Sequence, residues 1–340
     1  MYGNTVREVL AGSPGLGTAD PERVELLRQF TWQRLTSPGS ADPIRVFVKG
    51  EPHKVAKLSE GRYRLISAVS LVDAMADRVM FRWLNLRVSR RVGYTSCMAG
   101  LSPVKGGYRW YRERFRGKRT RALDMTAWDW TVPGWLLLAL KDVVKSLAVC
   151  APQYWLDWVD SRWESLFRDA VFTFADGSSV CQPGWGIMKS GCYLTIILNT
   201  FAQILRHHLV LHRMQIPVDS LSVVFCGDDQ TIEDFSRFNE YEEQTRALGF
   251  LLKDSVVSAD ALHFIGFVMW DDRFEPEYRD KHAYRMLHVP DSKLGELLHV
   301  YQYYYAYVPE WFEWIRRELA RRSPRDVVSL SAAKAILDGS

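Results

Sequence analysis

Three carboxylates, Asp124, Asp228 and Asp229, are spaced as a divalent-metal site would require. Gly227-Asp228-Asp229 lies between two strand-like apolar segments, residues 221–226 and 230–233. The glycine permits a tight turn, and the turn projects adjacent carboxylates from a hairpin tip. Crowded carboxylates repel unless a cation joins them, and hard oxygen donors select Mg²⁺ or Mn²⁺. The same spelling also serves an ordinary solvated turn. Asp124 ends a second strand-like segment, residues 120–125. Two metals roughly 3.5–4 Å apart need bridging carboxylates from different elements. Asp124 and Asp228 could supply that bridge, one metal acidifying a hydroxyl and the other holding a triphosphate and its leaving pyrophosphate. Asp129 follows five residues later between Trp128 and Trp130, off the metals and suited either to a sugar or to a capping role.

A third group lies in the segment from Ser190 to Thr200. Gly191, Thr195 and Asn199 recur every four residues and so share one helical face, while Leu194, Leu198, Phe201 and Leu205 make an apolar stripe. Small and polar groups on a buried face need partners. Ribose hydroxyls would serve, and so would neighbouring helices. His208 and His212 have an i, i+4 spacing but lack the glutamate of a HExxH zinc motif.

These groups must be carried by a regular scaffold. Apolar periodicity predicts helices over 21–35, 70–88, 134–149, 152–167, 191–213 and 237–248. Strands are expected over 44–48, 63–66, 171–174 and 179–182, the last two joined by Asp176-Gly177, a hairpin signal. Strands and helices alternate irregularly, which points to an α+β class. Beyond Gly266 the chain becomes aromatic and basic, as a separate C-terminal lobe would be.

The 340 residues, 47% of them apolar, suffice for two or three lobes with a substantial core and exclude a disordered chain. Net charge is only +4, but residues 105–121 carry +7 and residues 44–64 carry +4. Such concentration suits a polyanion. Tyr108, Trp110, Tyr111 and Phe115 interleave with the arginines of the first stretch and invite two readings, base stacking or a buried helix face. The cluster at Tyr301, Tyr303, Tyr304, Tyr305 and Tyr307 reads as core. The five cysteines form no CxxC pair, which argues against a zinc ribbon or secreted disulfide framework and for a reducing compartment. The most apolar stretches, 135–140 and 194–205, fall short of the ~20 residues that span a bilayer.

In order and separation the segments resemble the motifs of viral RNA-dependent RNA polymerases. Asp124-x4-Asp129 is similar to motif A, Ser190-Gly191-x3-Thr195-x3-Asn199-Thr200 to motif B, and Gly227-Asp228-Asp229 to motif C. Lys253 resembles the motif D lysine, and Phe264-Ile265-Gly266 the motif E turn. Lys49-Gly50-Glu51-Pro52-His53, Lys57 and Glu60-Gly61-Arg62-Tyr63-Arg64 look like motif F, in a spelling especially like the sobemovirus and polerovirus group. Ser13-Pro14-Gly15 resembles motif G.

The resemblance implies a right hand with an antiparallel palm sheet flanked by helices. Fingers would take residues 1–120 and 150–183, palm 121–149 and 184–266, and thumb 267–340. It also implies roles. Asp124 and Asp228 would bind two Mg²⁺, Mn²⁺ being a substitute, with Asp229 nearby. Asp129, Ser190, Gly191, Thr195 and Asn199 would select the ribose. Lys49, Lys57, Arg62 and Arg64 would line the NTP entry, and Lys253 would protonate pyrophosphate. Partners would be RNA template, nascent RNA, NTPs and other viral replication proteins, in the host cytoplasm at the periphery of replication membranes. The short stretch before Ser13 and the short thumb suggest a polyprotein fragment, or a partner that closes the template channel. A reverse transcriptase and a non-catalytic RNA-binding fragment are the alternatives.

Overall fold

The computed structural model describes residues 6–11, 19–37, 39–53, 55–253 and 255–339. Ser13-Pro14-Gly15 lies outside them. The chain forms two compact units, each assembled from separate stretches.

The first unit comprises Met1–Lys49, Tyr63–Arg87 and Ala127–Ala202. Its sheet has the order β2-β1-β4-β5. Strand β1 (Ile44–Val48) pairs antiparallel with β2 (Leu65–Ala68) and parallel with β4 (Val171–Thr173). The Asp176-Gly177 turn joins β4 to β5 (Ser179–Cys181), as its spelling predicts. The Asp176 carboxylate accepts from both the amide and the hydroxyl of Ser178, which closes the turn. Helices Gly134–Leu147 and Gln153–Phe167 bury Leu136, Leu137, Leu140, Trp158 and Trp163. Two buried aspartates on the helix Leu71–Arg90 take cations: Arg162 grips Asp77 with two hydrogen bonds of 2.7 and 2.9 Å, and Arg34 reaches Asp73 at 3.0 Å. Burial makes such pairs costly to break, because either partner would be left as an isolated charge.

The second unit comprises Gly50–Arg62, Val88–Thr126 and Gln203–Ser340. Its main sheet is antiparallel throughout, in the order β6-β7-β3-β8. Here β3 is Thr120–Leu123, β6 Val223–Cys226, β7 Asp229–Glu233 and β8 Val256–Ser258. One face carries Leu123, Phe225 and Ile232, packed on Val210, Leu211 and Tyr241 from the helices Thr195–Arg213 and Phe238–Ala247. A smaller sheet, β9 (Leu262–Phe264), β10 (Phe267–Met269) and β11 (Phe274–Pro276), turns at Ile265-Gly266. Helices from Arg279 onward enclose their own core of Met286, Leu298, Tyr301, Tyr305, Ile315 and Leu319. Tyr301 and Tyr305 are therefore interior, as expected. All five cysteines are free thiols. No helix among the described residues is long and apolar enough to cross a membrane.

The architecture agrees with the α+β expectation. Some boundaries differ: the strand expected over 63–66 lies at Leu65–Ala68, and the helix expected over 134–149 ends at Leu147. The helix expected from residue 191 starts at Thr195, because the residues before it are used elsewhere. The Gly191 amide donates to the Ser67 carbonyl at 2.9 Å, the Ser190 hydroxyl accepts from the Ser67 amide at 3.0 Å, and the Thr195 hydroxyl reaches the carbonyls of Lys189 and Cys192.

Candidate active site

The hairpin β6–β7 places its carboxylates by register. Cys226 pairs with Asp229, so Gly227-Asp228 forms the two-residue tip. Gly227 has φ +65°, a conformation that disfavours any side chain. On the other edge of β7, Leu123 of β3 pairs with Gln230. One step further along that ladder sets Asp124 opposite Asp229. The ladder then continues by a different partner: Met125 bridges Leu252, and the Lys253 amide donates to the Asp124 carbonyl at 2.9 Å. This holds Lys253 so that its Nζ meets the Asp124 carboxylate at 2.5 Å. Three strand ends thus bring together Asp124, Asp228, Asp229 and Lys253, four residues chosen from sequence alone.

The electrostatics match crowding. The Asp229 carboxyl is pushed up to about 7, first by dehydration and then by Asp228, Asp124 and Glu277, against which Lys253 acts. Asp229 keeps an exposed surface, so water reduces both the dehydration and the charge crowding, and the upward direction is what stands. The neighbouring Cys226 thiol is pushed up to about 12 by burial and then by Asp229, Cys97 and Asp228. Glu277, just past β11, is a fourth acidic participant that sequence spacing did not reveal. It joins the group only because the small sheet folds back, its amide donating to Gly266 and its carboxylate meeting His263 Nδ1 at 3.0 Å.

Among the described residues no three His, Cys, Asp or Glu side chains stand close enough to hold a metal ion. Asp124 is instead neutralised by Lys253. The donor set nevertheless suits a hard divalent cation: oxygen ligands only, in negative excess, at the end of a sheet.

The sugar-type residues form a separate cluster in the first unit. Asn199, buried in the helix Thr195–Arg213, accepts from Trp128 Nε1 at 2.9 Å and donates to the Asp129 carboxylate at 3.3 Å. The Trp128 contact fixes the amide orientation, and the amide in turn aims Asp129. Ser190, Gly191 and Thr195 spend their groups on Ser67, Lys189 and Cys192, shaping the loop ahead of the helix. A Cβ at Gly191 would lie 2.5 Å from the Ser67 carbonyl oxygen, which is why glycine stands there. Of the basic candidates, Lys49 and Arg64 face across β1 and β2, the Lys49 amide donating to the Arg64 carbonyl at 2.8 Å. Lys57 and Arg62 belong to the second unit, where Arg62 pairs with Glu60 at 2.5 Å.

A family model for viral RNA-directed RNA polymerase matches residues 20–95. The replicase polyprotein P2AB of Southern cowpea mosaic virus is 32% identical over 295 residues, 81% of this chain and 29% of its own length. The P1-P2 protein of potato leafroll virus is 34% identical over 184 residues, 49% of the chain and 17% of its own length. P2AB of Southern bean mosaic virus is 33% identical over 181 residues, 52% of the chain and 19% of its own length. The chain is a relative of the sobemovirus and polerovirus replicase polyproteins. It spans less than a third of those relatives' length. The stretch matched by the viral polymerase model includes β1, β2 and all four basic candidates Lys49, Lys57, Arg62 and Arg64.

In the basic stretch the aromatics resolve as a buried helix face and not as a base-stacking surface. Along residues 105–121 the cations are largely paired inside the second unit: Arg109 with Asp338, Arg112 with Asp271, Lys118 with Glu233, and Arg119 and Arg121 with Asp234. Arg116 pairs with Glu113. Tyr108, Tyr111 and Phe115 are wholly buried. The helix Gly107–Arg114 thus packs its aromatic face inward and neutralises its rim. Among the described residues His208 and His212 gather no further ligand; the neighbouring His207 is the interior one, held by Tyr241 at 2.9 Å.

Proposed function

We propose that the chain is an RNA-dependent RNA polymerase: an RNA 3′-hydroxyl attacks the α-phosphate of a template-selected NTP and pyrophosphate leaves. The observation that carries this reading is the convergence of Asp124, Asp228, Asp229 and Lys253 at adjoining strand ends, in a relative of viral replicase polyproteins. Asp124, Asp228 and Asp229 would hold two Mg²⁺, with Mn²⁺ as a substitute. Bound there, the ions supply an acidified 3′-hydroxyl and charge neutralisation on the phosphates. Lys253 then exchanges its contact with Asp124 for the leaving pyrophosphate, to which it gives a proton. Asn199 aims Asp129 at the ribose 2′-hydroxyl, and the Ser190-Gly191 loop and Thr195 keep that helix start in place. Lys49, Lys57, Arg62 and Arg64 neutralise the incoming triphosphate. The reading carries with it the right-hand arrangement of fingers, palm and thumb, and a setting in host cytoplasm beside membranes and other replication proteins.

The Asp129–Asn199 contact favours ribonucleotides over the deoxynucleotides of a reverse transcriptase. Primer extension on an RNA template with NTPs or dNTPs tests the reading. It expects Mg²⁺-dependent extension with NTPs. Preference for dNTPs, or salt-sensitive RNA binding with no extension at all, would reject it.

A further inference from the structure

Behind the Gly-Asp-Asp turn lies a buried cation with no anion. Arg206 has no exposed surface, and among the described residues no carboxylate lies within ion-pair reach of it. The contrast is internal: the equally interior Arg162 has Asp77 and Asp73. Arg206 is satisfied only by neutral oxygens. Its Nε donates to Gln203 Oε1 at 2.9 Å, its Nη1 to Thr245 Oγ1 at 3.2 Å and its Nη2 to Gln230 Oε1. Burying an unpaired guanidinium is unfavourable, and an apolar side chain would fill the space more cheaply.

The two amides explain what the charge does. A primary amide can present either its oxygen or its NH₂ to a neighbour. A cation binding the oxygen removes that choice. With Oε1 held by Arg206, Gln203 turns its NH₂ to the Asp228 carbonyl at 3.4 Å. With its own Oε1 held likewise, Gln230 turns its NH₂ to the Tyr241 hydroxyl at 3.2 Å. Gln230 directly follows Asp229 and is paired on both sides, with Phe225 of β6 and Leu123 of β3. Leu123 in turn directly precedes Asp124. The planar fork therefore ties the tip of the turn and the strand residue beside it to the helix Thr195–Arg213.

We propose that Arg206 is a positioning residue for the catalytic turn, fixing the polarity of Gln203 and Gln230 and thereby the placement of Asp228 and Asp229 against Asp124. The inference rests on the polymerase reading only in taking that turn as the metal-bearing one.

The test uses the full chain, with Mn²⁺ as the probe. Mn²⁺ affinity is measured by electron paramagnetic resonance, and kcat and KM for NTP by primer extension, for wild type, Arg206→Met, Arg206→Lys, Gln203→Met and the Arg206→Met/Gln203→Met double variant. Loss of a group that orients metal ligands weakens metal affinity or activity by about 10- to 100-fold. That loss is expected in Arg206→Met, in Mn²⁺ affinity and in kcat, with KM for NTP little changed. Arg206→Lys, which keeps the charge but not the fork, recovers part of it. Gln203→Met falls in the same direction, and the double variant falls no further than Arg206→Met. A folded Arg206→Met with wild-type Mn²⁺ affinity and kcat overturns the inference, as does a double variant whose losses simply multiply. Should Arg206→Met not fold, Gln203→Met decides alone, and wild-type Mn²⁺ affinity there is the overturning result. A wild type that binds Mn²⁺ but extends no primer rejects the polymerase reading, while the ratio of affinities still decides the role of Arg206.

Discussion

Replacing Gly191 by alanine tests the close approach of the Ser190-Gly191 loop to β2. A Cβ built at Gly191 meets the Ser67 carbonyl oxygen at 2.5 Å, Ala68 Cα at 3.0 Å and the Ser67 carbonyl carbon at 3.3 Å. All three are backbone atoms of a paired strand, so no side chain can swing aside. Forcing a methyl into such a space costs about 1–3 kcal/mol. The shift needed also stretches the Gly191 amide bond to Ser67, worth about 1 kcal/mol. The gain from a stiffer unfolded chain, roughly 0.4–1 kcal/mol, partly opposes these losses. The net expectation is a destabilisation of about 1–3.6 kcal/mol by the same three effects. Gly50→Ala is the control. It lies in the motif F spelling, yet its Cβ would meet nothing within 4 Å, so its stability should change by less than about 0.5 kcal/mol. Chemical denaturation of both variants beside wild type gives the comparison. If Gly191→Ala unfolded at the same denaturant concentration as Gly50→Ala, the packing argument would be refuted.

Two other outcomes follow from the same unit. Burial lowers the Lys189 ammonium to about 7, and it is hydrogen-bonded to Gln182 and Ile187 within the loop. Between pH 7 and 10 the folded chain binds fewer protons at this site than the unfolded chain, so its stability relative to Lys189→Met should rise with pH across that window. Parallel stability curves for the two proteins would contradict this. Asn199→Ala strands the buried Trp128 Nε1 and should cost about 1–3 kcal/mol in denaturation, while narrowing the preference for NTP over dNTP. An unchanged preference in the folded variant would remove Asn199 from sugar selection.

The acidic residues of the β6–β7 turn and of the end of β3 were legible because their signal is local. Gly-Asp-Asp between two apolar runs suits a hairpin tip, and Asp124 closes an apolar run that becomes the interior strand β3. Lys253 was reached only through its resemblance to the motif D lysine; it lies beside the isolated Met125–Leu252 bridge, three residues ahead of β8. What escaped notice depends on partners distant in the chain. The arginines of 105–121 look like a polyanion surface until Asp234, Asp271 and Asp338 are seen beside them, more than a hundred residues later. Glu277 joins the acidic group only through the β9–β11 fold-back. Nothing in the local spacing of Arg206 announces that Gln230 and Thr245 enclose it. The late start of the helix at Thr195 has the same origin: the loop before it is committed to Ser67 on another strand.

The central claim is that Asp124, Asp228 and Asp229 together hold the ions that drive nucleotide addition. It is tested most directly by single-nucleotide incorporation on an RNA primer–template with Mg²⁺, comparing wild type with a folded Asp228→Asn variant. Loss of a charge-stabilising group at a reacting centre typically costs 10²–10³-fold or more in rate, so incorporation by Asp228→Asn should fall by at least ~10²-fold while its unfolding transition stays near that of wild type. Incorporation at the wild-type rate by that variant would contradict the account.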